Sequence, residues 1–170
     1  MHPLVLASSS PYRRRLLEQL QLPFECAAPD IDETPRPAET AEQLTRRLAL
    51  TKARALAGRY PQHLIIGSDQ VLLLDGQPVS KPGNHAAALD QLRRCSGRTV
   101  RFSTALCLLN SASGDHQLAC EPFDVVFREL DDASIERYLQ REQPYDCAGS
   151  FRMEGLGISL FQALRGDDPN

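Results

Sequence analysis

Short apolar runs divided by polar, turn-forming stretches set the pattern of this chain. Leu4–Ala7 is an apolar run that reads as a buried strand. Three serines break it, and Ser10-Pro11 starts a helix, with Ser10 at the N-cap and Pro11 at the first helical position, where a missing N–H is no loss. Leu16, Leu17 and Leu20 are the expected buried face of that helix. Phe24–Ala28 predicts a second strand. Three prolines within Pro29–Pro37 exclude a helix there and predict an acidic loop. Thr40 caps a long helix to about Gly58, with Leu44, Leu48, Ala55 and Leu56 as its buried stripe. Leu64–Gly67 reads as a strand that ends in Ser68-Asp69-Gln70 before Val71–Leu74 resumes. Asp75-Gly76 closes a tight hairpin, and Lys81-Pro82-Gly83 lies just beyond its second strand. Asn84 to about Cys95 predicts a third helix, ended by Ser96-Gly97. Thr99–Leu109 and Gln117–Phe127 predict an antiparallel hairpin, and Asp131 caps a fourth helix, Asp132–Arg141. A turn-rich segment, Tyr145–Gly157, leads to a last strand over Ile158–Leu164.

Length and composition narrow the class. At 170 residues the chain fits one domain, residues 1–170, with a real core. Its 42% hydrophobic and 24% charged residues are those of a soluble globular protein. A net charge of −3 argues against a general nucleic-acid binder. No apolar run approaches the roughly 20 residues that span a bilayer, and no signal segment opens the sequence, so neither membrane insertion nor export is expected. Five cysteines, odd in number and without a Cys-x-x-Cys pair, read as reduced thiols of a cytoplasmic protein, most of them small core residues.

Three places carry candidate chemistry. Arg13, Arg14 and Arg15 stand in the first turn of the first helix, where cations oppose the macrodipole. Free N–H groups, serine hydroxyls and guanidinium groups converging there suit a phosphate, while a capped surface helix with a solvated basic end explains the same residues. The loop carries Asp30, Asp32, Glu33 and Thr34, which suits either a solvated acidic loop or a carboxylate reaching a metal. Asp69 is the strongest candidate, because a polar triplet inside an apolar run needs a reason and an unpaired buried carboxylate costs several kcal/mol. Open α/β sheets also place their sites at strand ends. Lys52 sits between Ala49 and Ala53, and a lone lysine on a helix is ordinarily solvated or snorkelling. The four histidines form no recognisable Ser-His-Asp pattern, and neither glycine-rich phosphate-loop motif is present. Carboxylates with Lys and Arg fit metal-assisted attack on a phosphate ester.

Taken in order, several segments resemble the motif series of the Maf family. They are Leu6-Ala7-Ser8-Ser9-Ser10-Pro11-Tyr12-Arg13-Arg14, Asp32-Glu33-Thr34-Pro35, Thr51-Lys52-Ala53, Ile66-Gly67-Ser68-Asp69-Gln70-Val71, Lys81-Pro82, Ser96-Gly97, Cys147-Ala148-Gly149-Ser150-Phe151 and Gly166-Asp167-Asp168. The resemblance implies an elongated α/β structure, two-lobed and inosine-triphosphatase-like, with a central mixed sheet and a cleft between the lobes, often dimeric. It implies a nucleoside triphosphate pyrophosphatase that uses a divalent cation, magnesium or manganese. Asp69 would activate water and, with Glu33, hold the metal. Ser8, Ser10, Arg13 and Arg14 would bind phosphate, with Lys52 and Lys81 completing the catalytic set.

Three positions depart from the commonest family pattern. Tyr12 stands where most members carry arginine, Gln70 where they carry threonine, and Glu154 where they carry glutamine. That combination resembles the branch acting on 7-methyl-GTP rather than the one acting on dTTP and UTP, which is the alternative within the enzyme class. A cationic 7-methylguanine suits the face of Tyr12, and a carboxylate such as Glu154 can accept hydrogen bonds from guanine N1–H and the 2-amino group. A non-catalytic nucleotide-binding regulator of cell division is the alternative from another class. The family usually continues past this region with a further segment, so the sequence is expected to lack the final strand and helix.

Overall fold

A computed structural model describes residues 3–167. Asp168, the last residue of the Gly166-Asp167-Asp168 segment, lies outside the described residues. Among the described residues seven strands form one mixed sheet, with four α-helices and two 3-10 turns beside it. The strands are β1 (Leu4–Leu6), β2 (Phe24–Cys26), β3 (Leu64–Leu74), β4 (Gln77–Val79), β5 (Thr99–Asn110), β6 (His116–Phe127) and β7 (Phe161–Arg165). The helices are α1 (Pro11–Glu18), α2 (Ala41–Ala55), α3 (His85–Cys95) and α4 (Asp132–Glu142). Strand order is β2-β1-β3-β5-β6-β7, with β4 on β3. The chain divides into two compact units, the first running to Gln70 together with Thr104–Cys120, the second Val71–Ser103 together with the chain from Glu121 onward.

The first unit has β1 running parallel to both of its neighbours, β2 and β3. Leu4 pairs with Phe24 of β2 on one side and with Leu64 of β3 on the other, both parallel. Its core joins Val5 and Ala7 to Ile65, Ala105, Cys107 and Leu109, under Ala49, Ala53 and Leu56. Helix α2 is fixed at its start by a reciprocal capping box, Thr40 accepting from the Gln43 N–H and Gln43 accepting from the Thr40 N–H. Small residues bring α2 close to β3. A Cβ built on Gly67 would lie 2.0 Å from the Ala49 carbonyl oxygen, so only glycine admits the helix at this distance.

The second unit holds the larger apolar cluster. Phe151 packs edge-on against Phe102, Phe127 and Phe161, with centroids 5.2–5.6 Å apart. Leu72, Leu74, Leu92, Ile135 and Leu139 complete that core. The Asp75-Gly76 hairpin forms as expected, Leu74 opposite Gln77.

Several sequence expectations need correction. Leu64–Leu74 is one uninterrupted strand, because the Ser68-Asp69-Gln70 triplet keeps extended geometry. Helix α1 ends at Glu18 and has no buried residue; Leu16 and Leu17 are half-buried and Leu20 is 62% exposed. Ala55, the last residue of α2, is exposed. Residues 158–160 belong to a 3-10 turn, Leu156–Leu160, and the last strand starts only at Phe161. Of the five cysteines, all free, only Cys95 and Cys107 are buried.

Candidate functional site

The end of β1 and the middle of β3 lie side by side, since the Ala7 N–H donates to the Ile66 carbonyl at 2.8 Å. Ser8 follows directly and is buried. Its Oγ accepts from the Ser10 N–H at 3.1 Å, and Ser10 Oγ in turn accepts from the Arg13 N–H at 3.4 Å. The serine run therefore folds back on its own backbone and sets the start of α1 beside β3. Tyr12 and Arg13 are half-buried on that first turn.

One side chain ties three elements together. Lys52 of α2, 7% exposed, donates to Asp69 Oδ1 of β3 at 2.7 Å and pairs with Glu33 Oε1 of the acidic loop at 2.9 Å. The Ala49/Ala53–Gly67 contact allows this, because it brings α2 close enough for an ammonium one turn away to reach the strand. Lys52 is therefore neither solvated nor snorkelling. Asp69 is likewise 7% exposed, while the Glu33 side chain is 58% exposed. Burial raises the Asp69 pKa above the ordinary carboxylate value against the opposing pull of Lys52 and Arg13, and the neighbouring Glu33 adds to the rise. Arg13 feels the same two carboxylates, and its own pKa is lowered, with desolvation outweighing them. Two cations and two carboxylates thus act on one another around Asp69.

Arg14 does not join them. Its guanidinium pairs with Glu18 one turn along at 2.9 Å, on the exposed side of α1. Gln70 follows Asp69 on β3 and, by the alternation of a strand, turns to the opposite face, where its Nε2 donates to Thr104 Oγ1 of β5 at 2.9 Å. Thr104 had no signal in the sequence, because nothing local marks a β5 threonine as the partner of a β3 glutamine.

A second device missed by sequence reading anchors the loop. Arg47, also on α2, grips Glu39 with two hydrogen bonds of 2.6 and 2.7 Å and donates to the Thr34 carbonyl at 3.1 Å. Glu39 also accepts from the Arg36 N–H at 2.9 Å. The residue after Glu33 is thereby tied to the helix that carries Lys52. Arg47, with help from the Arg36 N–H, holds the Glu39 carboxyl down at about 2, against an ordinary value of 4.5. A lowered folded-state value adds stability above the ordinary pKa and loses it as pH falls toward the folded one. Wild-type stability, measured by urea unfolding, is therefore expected to decline as pH drops from about 4.5 to about 2, and Glu39→Gln to flatten that decline. Equal acid slopes for the two proteins would contradict the clamp.

Lys81 and Glu154 belong to the second unit, and both are exposed. The backbone around Lys81 is held on both sides, the Ser80 carbonyl accepting from Gln91 Nε2 at 2.9 Å and the Gly83 N–H donating to the Tyr145 carbonyl at 3.0 Å. Gln91 Oε1 also accepts from Ser150 Oγ at 2.6 Å, linking the Cys147–Phe151 segment to α3.

Among the described residues no group of three or more His, Cys, Asp and Glu side chains could hold a metal ion. Asp69 and Glu33, converging on one ammonium, form a two-carboxylate set. That set fits a magnesium-type cation, which takes one or two protein carboxylates and completes its shell with substrate phosphates and water. Among the described residues no helix is long and apolar enough to cross a membrane.

A family model described as Maf-like protein matches residues 3–170. A relative from Pseudomonas savastanoi pv. phaseolicola named 7-methyl-GTP pyrophosphatase is 63% identical over 168 residues, covering 99% of this chain and 88% of the relative. One of the same name from Pseudomonas aeruginosa is 60% identical with the same coverage. Among solved structures, a nucleoside-triphosphatase (dITP/XTP pyrophosphatase) from Mycobacterium abscessus matches with a TM-score of 0.46 at 19% identity, over 75% of each chain.

Proposed function

The chain belongs to the Maf-like family, and on that footing we propose that it is a nucleoside triphosphate pyrophosphatase that converts 7-methyl-GTP to 7-methyl-GMP and pyrophosphate. The observation that carries the reaction type is the buried Asp69–Lys52 pair, with the exposed Glu33 on the same ammonium and Arg13 beside it. The names of its relatives support the substrate.

Asp69 acts as the base. Lys52 takes Oδ1, and Oδ2 is the oxygen through which the carboxylate accepts the proton of an attacking water. The water oxygen forms its bond to phosphorus as the bridging oxygen departs with its electron pair, and pyrophosphate leaves. Lys52, Arg13 and Lys81 neutralise phosphate charge, while Ser8 and Ser10 lend hydroxyl groups and the α1 N-terminus its N–H dipoles. Arg14 is assigned to phosphate binding on the same helix start, which requires it to exchange Glu18 for substrate. A divalent cation held by Asp69 and Glu33 supplies, when bound, charge neutralisation and polarisation of a phosphoryl oxygen.

Tyr12 and Glu154 read the base. The aromatic face of Tyr12 attracts the cationic methylated ring, worth about 1–2 kcal/mol when desolvated. The Glu154 carboxylate accepts from N1–H and the 2-amino group. Five free thiols support a reducing, cytoplasmic setting.

Product identity tests the reaction type. Chromatography of a 7-methyl-GTP digest is expected to show the monophosphate and pyrophosphate in equal amounts. The diphosphate with inorganic phosphate would contradict the proposal.

A further inference from the structure

Glu154 sits in a short irregular loop, and one carboxylate outside that loop holds both of its ends. Glu142, the last residue of α4, is 11% exposed. Its Oε1 accepts from Arg152 Nη1 at 3.0 Å, and its Oε2 accepts from the Leu156 N–H at 2.7 Å. The loop passes directly over this carboxylate, since a Cβ built on Gly155 would lie 2.6 and 2.7 Å from its two oxygens. Further bonds close the frame. The Arg152 N–H donates to Tyr138 Oη at 3.0 Å, and the Arg152 carbonyl accepts from the Gly155 and Gly157 N–H groups at 3.2 and 3.1 Å. Arg152 Nη2 also reaches Asp146 Oδ1 at 3.4 Å. Glu154 stands inside this frame with its side chain exposed.

From this geometry we infer that Glu142 is a positioning residue for base selection, acting through Glu154 by fixing the loop that presents it. The inference rests on the assignment of Glu154 as a base-reading group. A carboxylate suits the task because both of its oxygens accept. A glutamine in its place keeps one acceptor and turns an NH2 group toward either the Arg152 guanidinium or the Leu156 N–H, where two donors oppose each other. Either way one end of the loop is released, and the Glu154 carboxylate samples several positions where one had been held. The core of α4 (Ile135, Tyr138 and Leu139) is untouched by the change.

The readout is the ratio of kcat/KM for 7-methyl-GTP to that for UTP, which offers neither an N1–H beside a 2-amino group nor a cationic ring. Glu142→Gln is expected to lower this ratio about tenfold, through KM for 7-methyl-GTP, with kcat and the UTP values held within about twofold. Arg152→Lys, which keeps a cation on Oε1, is expected to retain most of the ratio. In a Glu154→Gln background, Glu142→Gln is expected to cause no further loss. An equal fall for both substrates, an undiminished ratio in Glu142→Gln, or an additive loss in the double variant would each overturn the positioning role. An unchanged ratio in Glu154→Gln would overturn the base-reading assignment itself and this inference with it. If Glu142→Gln fails to fold by thermal melt, Arg152→Gln removes the other half of the same brace and is read by the same ratio.

Discussion

Asp69→Asn is expected to lower pyrophosphate release by about a thousandfold while the protein remains folded. The amide is isosteric with the carboxylate, and its Oδ1 can still accept from Lys52, which keeps its second partner in Glu33. Burial already disfavours the ionised side chain, as its raised pKa records, so a neutral group at this position asks less of the fold. What the amide cannot do is take a proton from water. The check is a pyrophosphate assay paired with a thermal melt. A folded Asp69→Asn protein within tenfold of wild-type turnover would remove Asp69 from the role of base.

The second large effect concerns the base. Tyr12→Arg together with Glu154→Gln is expected to move the kcat/KM ratio of 7-methyl-GTP to UTP by about a hundredfold toward UTP. A guanidinium at position 12 repels a cationic ring that the tyrosine face attracts, and an amide at position 154 presents a donor where guanine also donates. The loss of a cation–π contact and of charge-assisted hydrogen bonds is of the order of 3 kcal/mol, which corresponds to that ratio. Steady-state kinetics on the two substrates decides it, and an unchanged ratio would show that selectivity lies elsewhere.

The sequence revealed the site more readily by its interruptions than by its charges. Ser8–Pro11 and Ser68–Gln70 stood out because polar residues broke apolar runs, and these are the stretches that lie side by side at the end of β1 and the middle of β3. The triplet did not end its strand, because extended geometry tolerates a polar residue wherever a partner waits on the facing side. That partner was not legible. Lys52 on its own reads as a solvated helix residue, and its burial depends on Gly67, whose missing side chain admits the helix that carries it. The same holds for Arg47 and Glu39, eight positions apart, since nothing in their spacing announces a bidentate grip on a loop. Arg13 and Arg14 are adjacent and alike in sequence, yet the helix turns them to different faces, one toward Asp69 and the other toward Glu18. Periodicity placed most elements within a few residues. It failed over residues 158–160, where an apolar run with a glycine before it folds as a 3-10 turn ahead of β7. The frame around Glu154 was likewise invisible, because it depends on an α4 carboxylate meeting a backbone N–H fourteen residues away.

Pyrophosphate release from 7-methyl-GTP, GTP, dTTP and UTP in parallel, each with magnesium or manganese, tests the central claim most directly. Release from all that react, with 7-methyl-GTP clearly preferred, is the predicted result. A folded protein that releases pyrophosphate from none of the four, or that prefers dTTP and UTP, would contradict it.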